Sequence, residues 1–77
     1  MIDSISALIG RYPTGTMMHR SLAYALSAAY GGDWVGCRVA LVNARNFAPD
    51  PYQKTAAEQI NPIISGIDAL TSAGRAA

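Results

Sequence analysis

Apolar and polar positions near the start of the chain repeat with the period of an α-helix. Between residues 3 and 10, apolar side chains recur at positions i, i+3 and i+4 and form one face. Asp3 or Ser4 can cap this short helix, and Gly10 and Pro13 end it. The pattern therefore predicts a short N-terminal helix followed by a turn.

A second helical pattern runs from Thr16 to Tyr30, with Thr16 as the candidate N-cap and Gly31 and Gly32 as the stop. Its large apolar stripe consists of Met18, Leu22, Leu26 and Ala29. A stripe of small residues lies beside it and consists of Ser21, Ala25 and Ala29. Small residues at four-residue spacing allow another helix to approach closely.

The segment 34–47 fits two patterns. Its β-branched residues favour a strand, whereas Val35, Val39 and Val42 line up on one side of a helix behind the candidate cap Asp33. The chain contains no second strand pattern, and a solitary strand leaves its backbone hydrogen bonds unmade. We therefore predict a helix, with a strand that pairs with another chain as the alternative.

The last segment carries the clearest helix signal. Asp50 is a candidate N-cap, Pro51 suits the first helical position, and Gln53 completes a capping-box arrangement. Apolar positions then keep helical register to Gly74, although Pro62 interrupts the hydrogen bonding. We predict one long helix kinked at Pro62. The alternative is a break, with a new helix beginning behind a cap at position 61.

These elements predict the fold class. We expect an all-α protein in which residues 1–77 form a single domain, a small bundle of three to four helices. The N-terminal helix is short and the C-terminal helix is long and kinked by proline.

Composition adds a tendency to associate. The chain has 77 residues, of which 51% are hydrophobic and 14% charged, with a formal net charge of +1. Burial in so small a monomer contributes on the order of 110 kcal/mol, about the cost of ordering the chain. Cys37 is the single cysteine, so no internal disulfide can add stability. We therefore expect stability to come from contact with other chains.

The expected contact surface combines the stripes of the second helix with nearby aromatic residues, which are enriched in interface cores. Its candidate members are Met18, Ser21, Leu22, Ala25, Ala29, Tyr30 and Trp34.

No motif points to a reaction. The run Gly10 to Thr16 has the outline of a phosphate-binding loop but lacks its lysine, so a helix connection is the better interpretation. Nothing in the spacing pairs His19 with Cys37 as a nucleophile, and the five carboxylates are scattered singly. One His and one Cys do not make a typical zinc site. We expect no enzyme activity, no metal and no cofactor.

Cationic residues offer a weaker possibility. Arg38 and Arg45 are seven positions apart and share a helix face, and together with Tyr12 they are candidate anion-binding groups. The net charge of +1 argues against nucleic acid as a partner. The chain shows no basic leader and no apolar run of membrane-spanning length, so we expect it in the cytoplasm or within a virus particle.

These features give one functional hypothesis and one alternative. We expect a non-catalytic structural or assembly subunit that buries apolar helix faces against copies of itself or a larger protein assembly, such as a minor component of a phage particle. The alternative is a small oligomeric inhibitor or ligand-sequestering protein that binds an anionic small molecule or a partner protein.

Overall fold

The fold is all-α, as the sequence predicts. A computed structural model describes the backbone of residues 1–76 and the side chains of residues 1–72, and it contains no strand within that part of the chain. Four helices follow one another: α1 (Ile2–Ile9), α2 (Met17–Tyr30), α3 (Trp34–Phe47) and α4 (Gln53–Ala76). The expected bundle with a short first helix and a long last helix is therefore confirmed.

Helix α1 begins slightly earlier than predicted. Met1 occupies the N-cap position without a side-chain hydrogen bond, so the predicted cap at Asp3 or Ser4 is wrong. Asp3 lies instead in the first turn of the helix. A carboxylate there still interacts favourably with the positive end of the helix dipole.

Helix α2 begins and ends where the sequence predicts. The Thr16 side chain accepts a hydrogen bond from the backbone N–H of His19 at 3.1 Å, which confirms the cap. Gly31 follows the last helical residue, and Gly32 has a φ of 76°. That left-handed backbone suits glycine and turns the chain towards α3.

The ambiguous segment is helix α3. The Asp33 side chain accepts a hydrogen bond from the Gly36 N–H at 3.0 Å, which confirms the predicted cap. The backbone N–H and C=O groups of this segment form hydrogen bonds within the helix, so the alternative of a strand is wrong.

The start of α4 differs from the prediction. Pro51 and Tyr52 lie in a turn in which the Tyr52 N–H donates to the Pro49 carbonyl at 2.7 Å. The first helical bond beyond it runs from the Ala56 N–H to the Tyr52 carbonyl at 2.8 Å. Tyr52 therefore occupies the N-cap position of α4, which the sequence analysis assigns to Asp50.

Helix α4 is continuous through Pro62. The alternative of a break with a new cap at Asn61 is therefore wrong, and the Asn61 side chain instead accepts a hydrogen bond from Arg45. The kink at Pro62 stays a prediction.

The four helices enclose one apolar core. Helices α2 and α3 are joined by the short link 31–33, run antiparallel and make the most extensive contact of the bundle. Helix α4 packs on α3, and α1 packs on α2 and, less extensively, on α4. Among the described side chains, the fully buried large ones are Ile5, Met18, Leu22, Cys37, Leu41, Ile60 and Ile67. The molecule measures 41 × 22 × 17 Å.

Candidate protein-contact surface

A groove of about 440 Å³ runs between α2 and α3 on the outside of the helix pair. Its least exposed lining residues are Ser21 on α2 and Gly36 and Ala40 on α3. Small side chains at these three positions leave space between the helices. The groove exists because neither helix fills it.

Large apolar side chains stand on both sides of this groove. Met17 is 57% exposed, Tyr24 76% and Val39 54%. Met17 and Tyr24 lie outside the stripe with which α2 packs into the core, so their positions on the helix direct them away from it. Val35, 70% exposed, lies one turn from Val39 on α3, and both valines also line a second groove between α3 and α4. We call the α2–α3 groove, together with Val35 and the neighbouring Asp33, the outer face.

Polar groups mark the two ends of the outer face. Arg20 and Asn43 line the groove near the start of α2 and the later part of α3. Asp33 lies at the other end, where a Cβ placed on Gly36 would collide with the Asp33 carboxylate. The outer face is therefore positive at one end, negative at the other and apolar between them.

The opposite flank of α3 is organised differently. A groove of about 340 Å³ between α3 and α4 contains the ion pair in which the Arg38 Nε donates to an Asp68 oxygen at 2.8 Å. The hydrogen bond that Arg38 donates to Asp68, together with the negative charge of that carboxylate, raises the pKa of Arg38. The Arg45 guanidinium donates to the Asn61 side chain at 2.6 Å further along the same flank. This flank uses its polar groups to join α3 to α4.

The interface residues that the sequence predicts fall into two groups. The first group is buried within this chain and consists of Met18, Leu22, Ala25 and Ala29. A contact surface on the folded chain therefore has to be built from other side chains. Of the remaining three, Ser21 lines the outer face, Trp34 lies half-buried between α3 and α4, and Tyr30 is 71% exposed. Tyr30 follows Tyr24 by six positions and so projects from a different side of α2.

The residues that sequence analysis missed are Met17, Arg20, Tyr24, Val39 and Gly36. A second apolar position pair on α2, Met17 and Tyr24, beside the stripe that enters the core, is the signal that could have found those two residues. Val39 belongs to the line of valines on α3, but which side of that helix stays exposed is defined only once α2 and α4 have packed against it. Arg20 and Gly36 carry no such signal.

The three candidate anion-binding residues are not brought together. Arg38 and Arg45 both face α4, whereas the Tyr12 hydroxyl donates to the Gln59 side chain at 2.6 Å. Gln59 is two positions from Asn61, the partner of Arg45, so the two contacts lie on different sides of α4. Burial raises the pKa of Tyr12, and the nearby charge of Arg11 opposes that effect. Anion binding by these residues stays a prediction.

Cys37 has surroundings that disfavour a reactive thiolate. Its side chain is fully buried, and burial first, with the charge of Asp33 second, raises the pKa of the thiol. Within residues 1–72, no hydrogen bond links Cys37 to His19. The same part of the chain brings no three His, Cys, Asp or Glu side chains together as metal ligands.

None of the helices described here combines the length and the apolar character that crossing a membrane requires. Comparison with protein families, curated proteins and solved structures gave no match. The function therefore has to be inferred from the chemistry of the surface.

Proposed function

We propose that this protein is a non-catalytic structural or assembly subunit, which buries apolar helix faces against copies of itself or a larger partner. The observation that carries the proposal is the outer face. Its four large apolar side chains, Met17, Tyr24, Val35 and Val39, are all more than half exposed. Together they expose on the order of 400 Å², which is within the range of the largest apolar patch on a monomer, and such patches are often contact sites.

The distribution of charge supports the same proposal. The centre of the outer face carries no charged side chain, and its charges, Arg20 and Asp33, lie at the two ends. Interface cores are depleted in charge and enriched in tyrosine and methionine, with polar groups at the rim. The outer face has this arrangement.

A narrower assignment is a minor component of a phage particle, placed within the virion or in the cytoplasm where the particle assembles. The small size, the charged fraction of 14% and the apolar surface are what support it.

Gel filtration of an extract from the cells that make the protein tests the proposal. We expect the wild-type chain to elute well above the size of one copy and Val39→Lys to elute as one copy. Leu70→Lys is the matched control, because Leu70 is also an apolar residue, 48% exposed, but lies on α4. Elution of the wild type as a single copy, or an equal effect of both substitutions, would contradict the proposal.

The alternative, a ligand-sequestering or inhibitory protein, is favoured by one observation. The α2–α3 groove has about 440 Å³ of space, apolar walls and the cation Arg20 at one end. Small-molecule sites have volumes of about 300 to 1,000 Å³ and few polar groups. Native mass spectrometry would detect a bound small anion whose mass is lost in Arg20→Ala. A bare chain in the wild type would exclude this alternative.

A further inference from the structure

We infer that the partner on the outer face is a second copy of this chain, related by a two-fold axis that crosses the helices between Arg20 and Asp33, with Arg20 of each copy paired to Asp33 of the other. The inference rests on the proposed function and specifies its partner. Three features of the outer face support this inference. They are the positions of its two charged residues, the ability of both residues to form an ion pair with another chain, and the area of the face.

The two charges lie on opposite sides of Tyr24 along the groove. Arg20 precedes Tyr24 by four residues, or about 6 Å of helix. Ala28 follows Tyr24 by four residues, and its carbonyl accepts the backbone N–H of Asp33 at 2.9 Å. Because a helical carbonyl points towards the C-terminus, Asp33 lies beyond Ala28, at the end of the groove away from Arg20.

This order of charges makes the outer face complementary to itself. A two-fold axis in the contact plane, running across the helices midway between Arg20 and Asp33, reverses the direction of the second copy. The Arg20 end of each copy then meets the Asp33 end of the other, and both pairs form at once, as in an isologous interface. A parallel arrangement would instead gather both Arg20 side chains at one end and both Asp33 side chains at the other.

Both charged groups are free to pair. Within residues 1–72, Arg38 and Asp68 form an ion pair, whereas Arg20 takes part in none. The Asp33 carboxylate accepts one hydrogen bond, from the Gly36 N–H, through a single oxygen and is exposed. Its second oxygen remains available to the guanidinium of another copy without loss of the helix cap.

The area of the outer face suits a weak dimer. Helices α2 and α3 have 14 residues each, and so each is about 21 Å long. A face of this length and two helices wide covers roughly 400 Å² per copy, which is at the low end for specific complexes. Tyr24, at 76% exposure, lies at its centre, where tyrosine contributes most to binding.

Exchange of the two charges tests the arrangement. Arg20→Glu alone sets carboxylate against carboxylate at both ends, and Asp33→Lys alone sets cation against cation. When the two variant chains are mixed, each end of a heterodimer has one cation and one anion. Sedimentation equilibrium of each chain and of the mixture, from about 1 μM to 1 mM, measures the three dissociation constants. Circular dichroism confirms that each variant is folded.

We expect the wild type to dimerise with a dissociation constant on the order of 10 μM, and each variant alone to be weakened about tenfold or more. The mixture should recover to within about threefold of the wild type. Asp33→Asn keeps a capping oxygen but removes the charge, so it should fold and should weaken the dimer. It replaces Asp33→Lys in the test if that variant fails to fold.

Two results would overturn the inference in different ways. A wild type that dimerises without recovery in the mixture would leave self-association standing and refute the pairing of Arg20 with Asp33. A wild type that stays a single copy to 1 mM would refute the dimer altogether. A large complex in the native extract would then still support the proposed function with a different partner.

Discussion

The two flanks of α3 differ in the side chains that they carry at the surface. Towards α4, Arg38 pairs with Asp68 and Arg45 bonds to Asn61, so polar side chains join the helices across the seam. Towards α2, small residues leave an open groove between large exposed apolar side chains. One flank completes the fold of a single chain. The other leaves apolar area exposed and carries two charges, Arg20 and Asp33, that form no ion pair within residues 1–72.

This difference separates residues that hold the bundle together from residues available for contact. Val39 lines the grooves on both flanks and projects outward, whereas Leu41, two positions later, is fully buried. Substitutions on the inner side of α3 should therefore affect folding, and those on its outer side should affect association.

The largest effect should come from the inner side of α3. Leu41→Ala removes a fully buried side chain and should lower the free energy of unfolding by about 2 to 4 kcal/mol. Val39→Ala, measured at concentrations where the chain is a single copy, should change it by less than about 0.5 kcal/mol. Urea denaturation measures both. Equal losses would remove the distinction between the two sides.

Loss of the cap at the link between α2 and α3 should have a smaller effect. Asp33→Ala removes the acceptor for the Gly36 N–H and should cost about 1 kcal/mol of stability. Asp33→Asn retains an acceptor oxygen and should cost only a few tenths of a kcal/mol. If thermal melting shows that the two substitutions cost the same, the charge of Asp33 stabilises the folded chain more than its hydrogen bond does.

Alkaline pH should affect the buried side of α3 through Cys37. Because the pKa of its thiol is raised above 9.0 in the folded chain, the folded state holds this proton more tightly than the unfolded state. The stabilisation is complete below the ordinary thiol pKa and is lost as the pH rises through the raised value.

The melting temperature of the wild type should therefore fall more steeply above about pH 9 than that of Cys37→Ala. Tyr12, whose pKa is also raised, keeps its own contribution in both proteins. Parallel curves for the two proteins would contradict the assignment to Cys37.

The smallest effect should come from the seam between α3 and α4. Arg38 and Asp68 are about half exposed, so their pair should contribute little to stability in a double-mutant cycle, less than the cap at Asp33 does. The coupling energy should decrease as salt is added. A coupling as large as the loss of that cap would show that this flank depends on its ion pair more than its exposure indicates.

Local signals in the sequence were sufficient to predict where most of the helices begin and end. Thr16 and Asp33 cap the helices that they were expected to cap, because an N-cap depends on neighbours within three residues. Asp50 fails because a turn after Pro49 carries the chain on to Gln53 before the helix begins, and that turn is not encoded in the capping pattern.

The residues of the candidate contact surface could be predicted less well from the sequence. The stripes containing Leu22 and Ala25 were expected to meet another chain but fill the core of this one, because α1 and α3 pack against α2. Which side of α2 stays outside therefore depends on the packing of those two helices. Tyr24 and Gly36 therefore became candidates only once the fold was known.

An NMR dilution series tests most directly whether the outer face is a contact surface. Amide shifts of the wild type would be followed from about 1 mM downward, with Val39→Lys as the reference for the single copy. We predict concentration-dependent shifts that concentrate in residues 17–24 and 33–43 and are absent from the variant. Shifts centred on α4, or none at any residue, would contradict the account.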